Sequence, residues 1–176
     1  MLILADIKLT DNGSIFGMLG DRKIWIYDDW IATKDHSILW NEFIDMRDCS
    51  SDPNKLKHWT LTSPTKYFAI RVDGVFVGYV QAKKLDTYDQ FEIGYNVIPR
   101  FWGKGYATQA VKLLKRLVYK LGAHRIYLRI DPDNEASRRV AEKCGFKYEG
   151  TFHHSCKIRG RWRDENIYAD YKGRIK

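Results

Sequence analysis

The sequence predicts an α+β fold, a mixed and mostly antiparallel central sheet flanked by helices, and three observations predict it. Two apolar β-like runs, 67–72 and 75–80, are joined by Asp73-Gly74, a dipeptide that tolerates the positive φ angles of a tight hairpin turn. A long stretch, 104–121, carries apolar residues at helical spacing. Beyond it, strand-like, helix-like and strand-like segments alternate to the end of the chain.

The first 64 residues are irregular in period and rich in tryptophan, with Trp25, Trp30, Trp40 and Trp59 read as packing residues. Ile31, Ile38, Leu39 and Phe43 fall roughly on one side of a helix expected over 29–47, and 48–64 reads as a turn and a short helix. After the 67–80 hairpin a further strand is expected over 90–97. Alternation puts Phe91, Ile93, Tyr95 and Val97 on one face and Glu92, Gly94 and Asn96 on the other. In 104–121 the stripe is Ala107, Ala110, Val111, Leu114, Leu117, Val118 and Leu121, and Gly122 stops the helix. Residues 125–130 alternate with Ile126, Leu128 and Ile130 inward. Asp133 or Asn134 caps a second helix that ends at Gly145, and 146–152 and 166–171 are the last strands.

A chain of 176 residues fits one domain, here expected to span 1–176. Its length supports a continuous core without disulfides. Cys49, Cys144 and Cys156 are few, odd in number and far apart, which argues for a reducing, cytoplasmic setting. No apolar run is long enough to span a membrane, and the start of the chain lacks the basic and long apolar stretches of a signal peptide. The net charge of +8 favours anionic partners, either nucleic acid or a phosphorylated cofactor. The basic residues form only small clusters, and no exposed Gly/aromatic RNA signature accompanies them, so a nucleic-acid partner is not expected.

The chemistry-bearing segment is the joint between strand 90–97 and helix 104–121. It reads Arg100-Phe101-Trp102-Gly103-Lys104-Gly105-Tyr106-Ala107. Two glycines allow the backbone close approach to a ligand. The loop N–H groups and the positive end of the following helix then form an anion site, to which Arg100 and Lys104 add full charges. The same composition also suits a loop that merely turns the chain. The triphosphate-binding pattern is absent, and a dinucleotide fingerprint would need glycine where Thr108 stands.

Arg100-Phe101-Trp102-Gly103-Lys104-Gly105 resembles the pyrophosphate signature Arg/Gln-x-x-Gly-x-Gly/Ala of the GNAT superfamily of N-acetyltransferases. Its surroundings are similar to the branch that acetylates the N-termini of ribosomal proteins. They include Phe91-Glu92-Ile93-Gly94-Tyr95 before the loop, Asn134-Glu135-Ala136-Ser137 and the run from Ala141 through Cys144-Gly145-Phe146 to Gly150 after it, and the tail ending Tyr168-Ala169. The resemblance covers residues 65–171, the expected cofactor-binding core, and leaves 1–64 as a variable, acceptor-side region. It implies a sheet that splays open between its fourth and fifth strands. Acetyl-CoA would lie there with its pantetheine arm against the backbone near Tyr95 and Val97 and its diphosphate on Arg100, Phe101, Trp102, Gly103, Lys104, Gly105, Tyr106 and Ala107. Arg138 or Arg139 would meet the 3′-phosphate.

The resemblance also implies the reaction, direct attack of a primary amine on acetyl-CoA. Glu92 would take the amine proton directly or through water, although a surface glutamate is the plain reading of its strand position. Asn134 caps a helix and could also touch the cofactor. Ser137, an ordinary first-turn serine by position, would donate to the leaving thiolate. The tyrosine that many superfamily members place slightly further on is missing, because Val140-Ala141 stands there. An oxyanion would meet the N–H of Val97 or its neighbour. Cys144 reads as core, and His153-His154-x-Cys156 lacks the paired spacing of a zinc site, so no metal is expected. Asp164 and Glu165, between basic residues, suit either an acceptor amine or simple charge balance, and charge balance is the preferred reading. The expected acceptor is a protein or peptide N-terminal amine. The alternatives are a small amine such as a polyamine or aminoglycoside, or an acyl-CoA-binding module without catalysis, in a monomer or homodimer.

Overall fold

The computed structural model describes residues 1–27, 65–85 and 88–173. The helices expected within 29–64 lie outside the described residues. The strands are β1 (Leu2–Ala5), β2 (Thr65–Val72), β3 (Val75–Lys84), β4 (Gln90–Val97), β5 (Arg125–Ile130), β6 (Lys147–Ile158) and β7 (Arg161–Tyr171). Among the described residues the helices are α1 (Asn12–Leu19), α2 (Tyr106–Lys120) and α3 (Glu135–Lys143). All the strands join one sheet in the order β1-β2-β3-β4-β5-β7-β6, so the fold is the mixed, mostly antiparallel sheet with flanking helices that the sequence predicts. Among the described residues no helix is long and apolar enough to cross a membrane.

The β2–β3 hairpin turns at Asp73 and Gly74, whose φ angles of 49° and 82° are those that the Asp-Gly pair was expected to supply. β3 runs on to Lys84, past the apolar stretch, because β4 pairs with it as far as Phe91↔Lys84. The last two strands are longer than expected and form one hairpin, turning at Arg159 and Gly160, both at positive φ. Their outer half is exposed at Phe152, His153, His154 and Ser155, so no buried face imposes an apolar alternation there. Two elements were not expected. Leu2–Ala5 pairs antiparallel with β2, and α1 buries Ile15, Met18 and Leu19, one apolar face at three- and four-residue spacing.

Each face of the sheet carries its own core. On one, α2 buries Ala110, Val111, Leu114 and Val118 against Phe68, Val80, Phe91, Ile93 and Ile126. On the other, α1 packs on Tyr67, Ala69, Phe76 and Tyr79. A buried ion pair, Arg71 Nη2 to Asp11 Oδ2 at 2.5 Å, ties the entry of α1 to β2. Each fully buried side chain of this size contributes about 1.5–3 kcal/mol, which is ample to hold helices on both faces.

One strand pairing decides where a ligand could enter. β4 and β5 are parallel neighbours, but they pair only at Gln90↔Arg125, Phe91↔Ile126 and Glu92↔Tyr127. Beyond Glu92, β4 stays with β3 to Val97↔Gly78, while β5 stays with β7 to Ile130↔Asn166. The sheet therefore splays between its fourth and fifth strands. Gly78 fixes the upper end of β4: a Cβ there would lie 2.1 Å from the Asn96 carbonyl oxygen and 2.8 Å from Val97 Cα. Both obstacles are backbone, so Gly78→Ala must displace the end of β4. We expect a loss of at least about 2 kcal/mol in denaturant unfolding, and unchanged stability would contradict this close approach.

Candidate active site

The splay opens into a cavity of about 340 Å³. β4 lines it with Glu92, Gly94, Tyr95 and Asn96, β5 with Leu128, Arg129 and Ile130, and the start of α3 with Asn134 and Ser137. The structure thus brings together Glu92, Tyr95, Asn134 and Ser137, four of the residues singled out from sequence.

The edge of β4 gives the cavity its backbone groups. Ile98 N–H donates to the Val77 carbonyl and Leu85 N–H donates to the Gln90 carbonyl, each at 2.9 Å, so even-numbered positions of β4 turn toward β3. Alternation then turns the N–H and C=O of Tyr95 and the N–H of Val97 into the gap, where among the described residues no strand pairs with them. The Val97 carbonyl accepts a hydrogen bond from the Trp102 indole N–H at 2.5 Å, which pins the following loop to the end of the strand.

That loop is built around two left-handed residues. After a 3-10 turn at Pro99–Phe101 and an extended Trp102, Gly103 and Gly105 both take φ of 75°. A Cβ at Gly103 would meet nothing within 4 Å, so glycine is there for its backbone angle. Helix α2 starts at Tyr106 rather than 104, because Gly105 is its left-handed N-cap and supplies no side-chain cap. The first N–H of the run to find a helical acceptor is that of Gln109, on Gly105 O at 3.1 Å. The N–H groups of Tyr106, Ala107 and Thr108 are therefore left for solvent or an anion, at the positive end of the helix dipole. Arg100 and Lys104 are exposed and gather on the Phe101 ring, at 4.9 and 5.6 Å from its centroid. Tyr106 is the next ring, 6.5 Å from Phe101.

The opposite lip is the first turn of α3. Asn134 Oδ1 accepts from the Ser137 N–H at 3.0 Å, so the expected cap is Asn134. Tyr95 reaches across the opening and its hydroxyl donates to the Ser137 carbonyl at 3.3 Å. Burial pushes the Tyr95 hydroxyl up to about 12, with a hydrogen bond to the Ser137 side chain acting in the opposite direction. It stays protonated, and a donor, at any physiological pH. Arg138 and Arg139 are exposed on the outer side of α3, and Arg139 pairs with Glu135 at 2.5 Å.

Glu92 faces a cation that was not singled out from sequence. Arg129 Nε donates to Glu92 Oε1 at 3.0 Å, and Arg129 Nη1 donates to Glu165 Oε2 at 3.3 Å. The Tyr127 hydroxyl donates to Glu92 Oε2 at 3.3 Å, and burial, then the neighbouring Glu92 charge, raise the Tyr127 pKa. Next to this cluster, Arg163 holds both oxygens of the buried Asp131, at 2.7 and 2.8 Å, and also Asp133. The signal for Arg129 and Asp131 was present, since β5 alternation puts Tyr127 and Arg129 opposite Ile126, Leu128 and Ile130. Glu165, read as charge balance, does balance Arg129 and also lines the cavity. Cys144 is 6% exposed, with its Sγ 3.5 Å from the Thr108 carbonyl, a core position. His153 and the His154 N–H bind Asp164 on the exposed hairpin. Those bonds, the backbone one foremost, hold the Asp164 carboxyl below its ordinary range.

A splayed mixed sheet, with a helix start lacking a side-chain cap and a glycine loop directly beyond the opened strand, has the shape and exposed N–H groups that suit an extended ligand with an anionic end. A family model described as the acetyltransferase (GNAT) domain matches residues 1–147, and the chain belongs to that family. An uncharacterized N-acetyltransferase of Bacillus subtilis, YnaD, is 31% identical over 101 residues, 57% of this chain and 59% of that protein. The spermidine N(1)-acetyltransferase of Escherichia coli is 30% identical over 99 residues, 55% of this chain and 53% of its own length. The match therefore spans little more than half the length of these curated relatives. In structure, the ribosomal L7/L12 α-N-protein acetyltransferase RimL, in complex with coenzyme A, shares the fold with a TM-score of 0.79. It is 20% identical, and the likeness covers 97% of this chain and 93% of that one.

The left-handed glycines give a direct test. Gly105→Ala keeps its space but forces alanine to a φ of 75°, so we expect a stability loss of about 1–2 kcal/mol by denaturant unfolding. Weaker binding of inorganic pyrophosphate by calorimetry should accompany it. Wild-type values for both would show that the loop does not need this conformation.

Proposed function

We propose that this chain transfers the acetyl group of acetyl-CoA to a primary amine, by direct attack within a complex of both substrates. The observation that carries the reading is the adjacency of the splay to the 100–107 loop. The unpartnered backbone groups of Tyr95 and Val97 suit the amide-bearing pantetheine arm, which would add to β4 as a strand does. The N–H groups and cations of 100–107 suit the diphosphate. Arg138 and Arg139, exposed on α3, are available to the 3′-phosphate.

In the reaction the amine nitrogen forms a bond to the acetyl carbon, the carbon–sulfur bond breaks, and the amine gives up a proton. Glu92 takes that proton, through a water where the amine does not reach it. Arg129, whose Nε donates to Glu92 Oε1 at 3.0 Å, holds that carboxylate in place at the cavity wall. The Val97 N–H meets the carbonyl oxygen as charge gathers on it. Ser137 donates a hydrogen bond to the departing sulfur, and Asn134 holds Ser137 in place through the helix cap.

The first expectation for the acceptor is a protein or peptide N-terminal amine. A specific observation favours the alternative, a small cationic amine. Among the described residues the cavity is lined by Glu92, Asp131 and Glu165 against one cation, Arg129, in a chain whose net charge is +8. Carboxylates beside the tyrosine rings of Tyr27, Tyr67 and Tyr79 make a wall suited to an ammonium group.

Saturating acetyl-CoA is expected to raise the melting temperature, by about 2.7 kcal/mol of stabilisation at a hundredfold excess over Kd. No shift would remove the cofactor reading. Glu92→Gln is expected to bind acetyl-CoA as the wild type does and to lower kcat at least about a hundredfold, most severely below neutral pH. A pH–rate profile unchanged from the wild type would rule Glu92 out as the base. Ser137→Ala is expected to lower kcat about tenfold with little change in acetyl-CoA affinity, and a wild-type kcat would discard its role.

A further inference from the structure

Tyr95 is a side chain that crosses the opening from β4 to α3. It starts on β4, the lip that ends in the anion-binding loop, and its hydroxyl finishes at Ser137 on the other lip. A purely structural link of this kind has many apolar substitutes. Here the crossing is made by a phenol, whose hydroxyl donates to the Ser137 main-chain oxygen at 3.3 Å. The residue it touches belongs to the turn whose serine faces the cavity. The helix itself offers only Val140 and Ala141 in the next turn, so any hydroxyl acting beside Ser137 has to come from elsewhere in the fold.

The chemistry of the leaving group says what such a hydroxyl does. A thiolate departing at this lip needs a hydrogen-bond donor within reach, and a serine hydroxyl reaches it only where the backbone that carries it is held at the right place. We propose that Tyr95 is a positioning residue for the leaving-group side of the reaction. Its phenol, held across the splay, fixes the first turn of α3 through the Ser137 carbonyl, so that the Ser137 side chain is placed beside the departing sulfur. The proposal rests on the acetyl-transfer reading above and adds the element that makes Ser137 effective. Burial keeps the phenol in its neutral form, so it acts by position and gives up no proton. Asn134 fixes the backbone N–H of the same serine, so the turn is gripped from inside α3 by its cap and from β4 by Tyr95.

The test is a double-mutant cycle on the full chain with acetyl-CoA and a primary amine. Tyr95→Phe keeps the ring and removes the hydroxyl, and it is expected to lower kcat about fivefold to tenfold while leaving the KM for acetyl-CoA unchanged. In the Ser137→Ala background the same change should have no further effect, because the group it places is gone. The Tyr95→Phe defect should also shrink with an acetyl thioester of a more acidic thiol, which needs less help to leave. Multiplicative effects of the two substitutions would overturn the proposal by showing that Tyr95 acts without Ser137. A rise in the KM for acetyl-CoA with kcat intact would overturn it too, leaving Tyr95 as a wall of the binding cleft. Wild-type kcat in Ser137→Ala alone would instead sink the role of Ser137 in the acetyl-transfer reading, so the two failures are distinct.

Discussion

The rest of the structure depends on where the β4–β5 ladder stops. Parallel neighbours in a sheet ordinarily stay paired, because each backbone group left without a partner costs about 1–3 kcal/mol when buried. Here pairing ends after Glu92↔Tyr127, and the two strands follow different partners, β3 and β7. The groups released at Tyr95 and Val97 are tolerable only if water or a ligand meets them. Everything placed around the gap keeps it from closing: the Trp102 indole on the Val97 carbonyl, the Tyr95 hydroxyl on α3, and the two glycines that turn the chain away at the strand's end.

Charge is arranged on the same geometry. The 100–107 loop displays cations and helix N–H groups to solvent on one side of the opening. Among the described residues the cavity on the other side holds more carboxylate than guanidinium, with Arg129 and Arg163 each shared between two acids. A net charge of +8 therefore describes neither part. An anionic donor and a cationic acceptor would approach complementary surfaces, and the sign at each mouth is set by which strand ends there.

Much of this was legible in the sequence where one face of an element is buried. The Asp73-Gly74 hairpin, the α2 stripe and the alternation of β4 are patterns that burial enforces, and they emerge nearly as read. Burial enforces no such pattern on the outer β6–β7 hairpin, so its length was missed. β1 and α1 were missed because four strand residues and a short helix carry too few repeats for a period to show. In the site, the glycine loop and the Asn134 cap are local and could be read. The Glu92–Arg129–Glu165 cluster and the Tyr95–Ser137 contact join residues 36 to 42 positions apart, and only strand order brings them together.

The central claim is that the opened edge of β4 receives an extended ligand as a strand would. Amide hydrogen exchange, followed residue by residue with and without saturating acetyl-CoA, tests it most directly. The account predicts that the N–H groups of Tyr95 and Val97 slow markedly on binding, together with those of Tyr106 and Ala107 at the start of α2. Unchanged exchange at Tyr95 and Val97 in a chain demonstrably saturated with acetyl-CoA would contradict it.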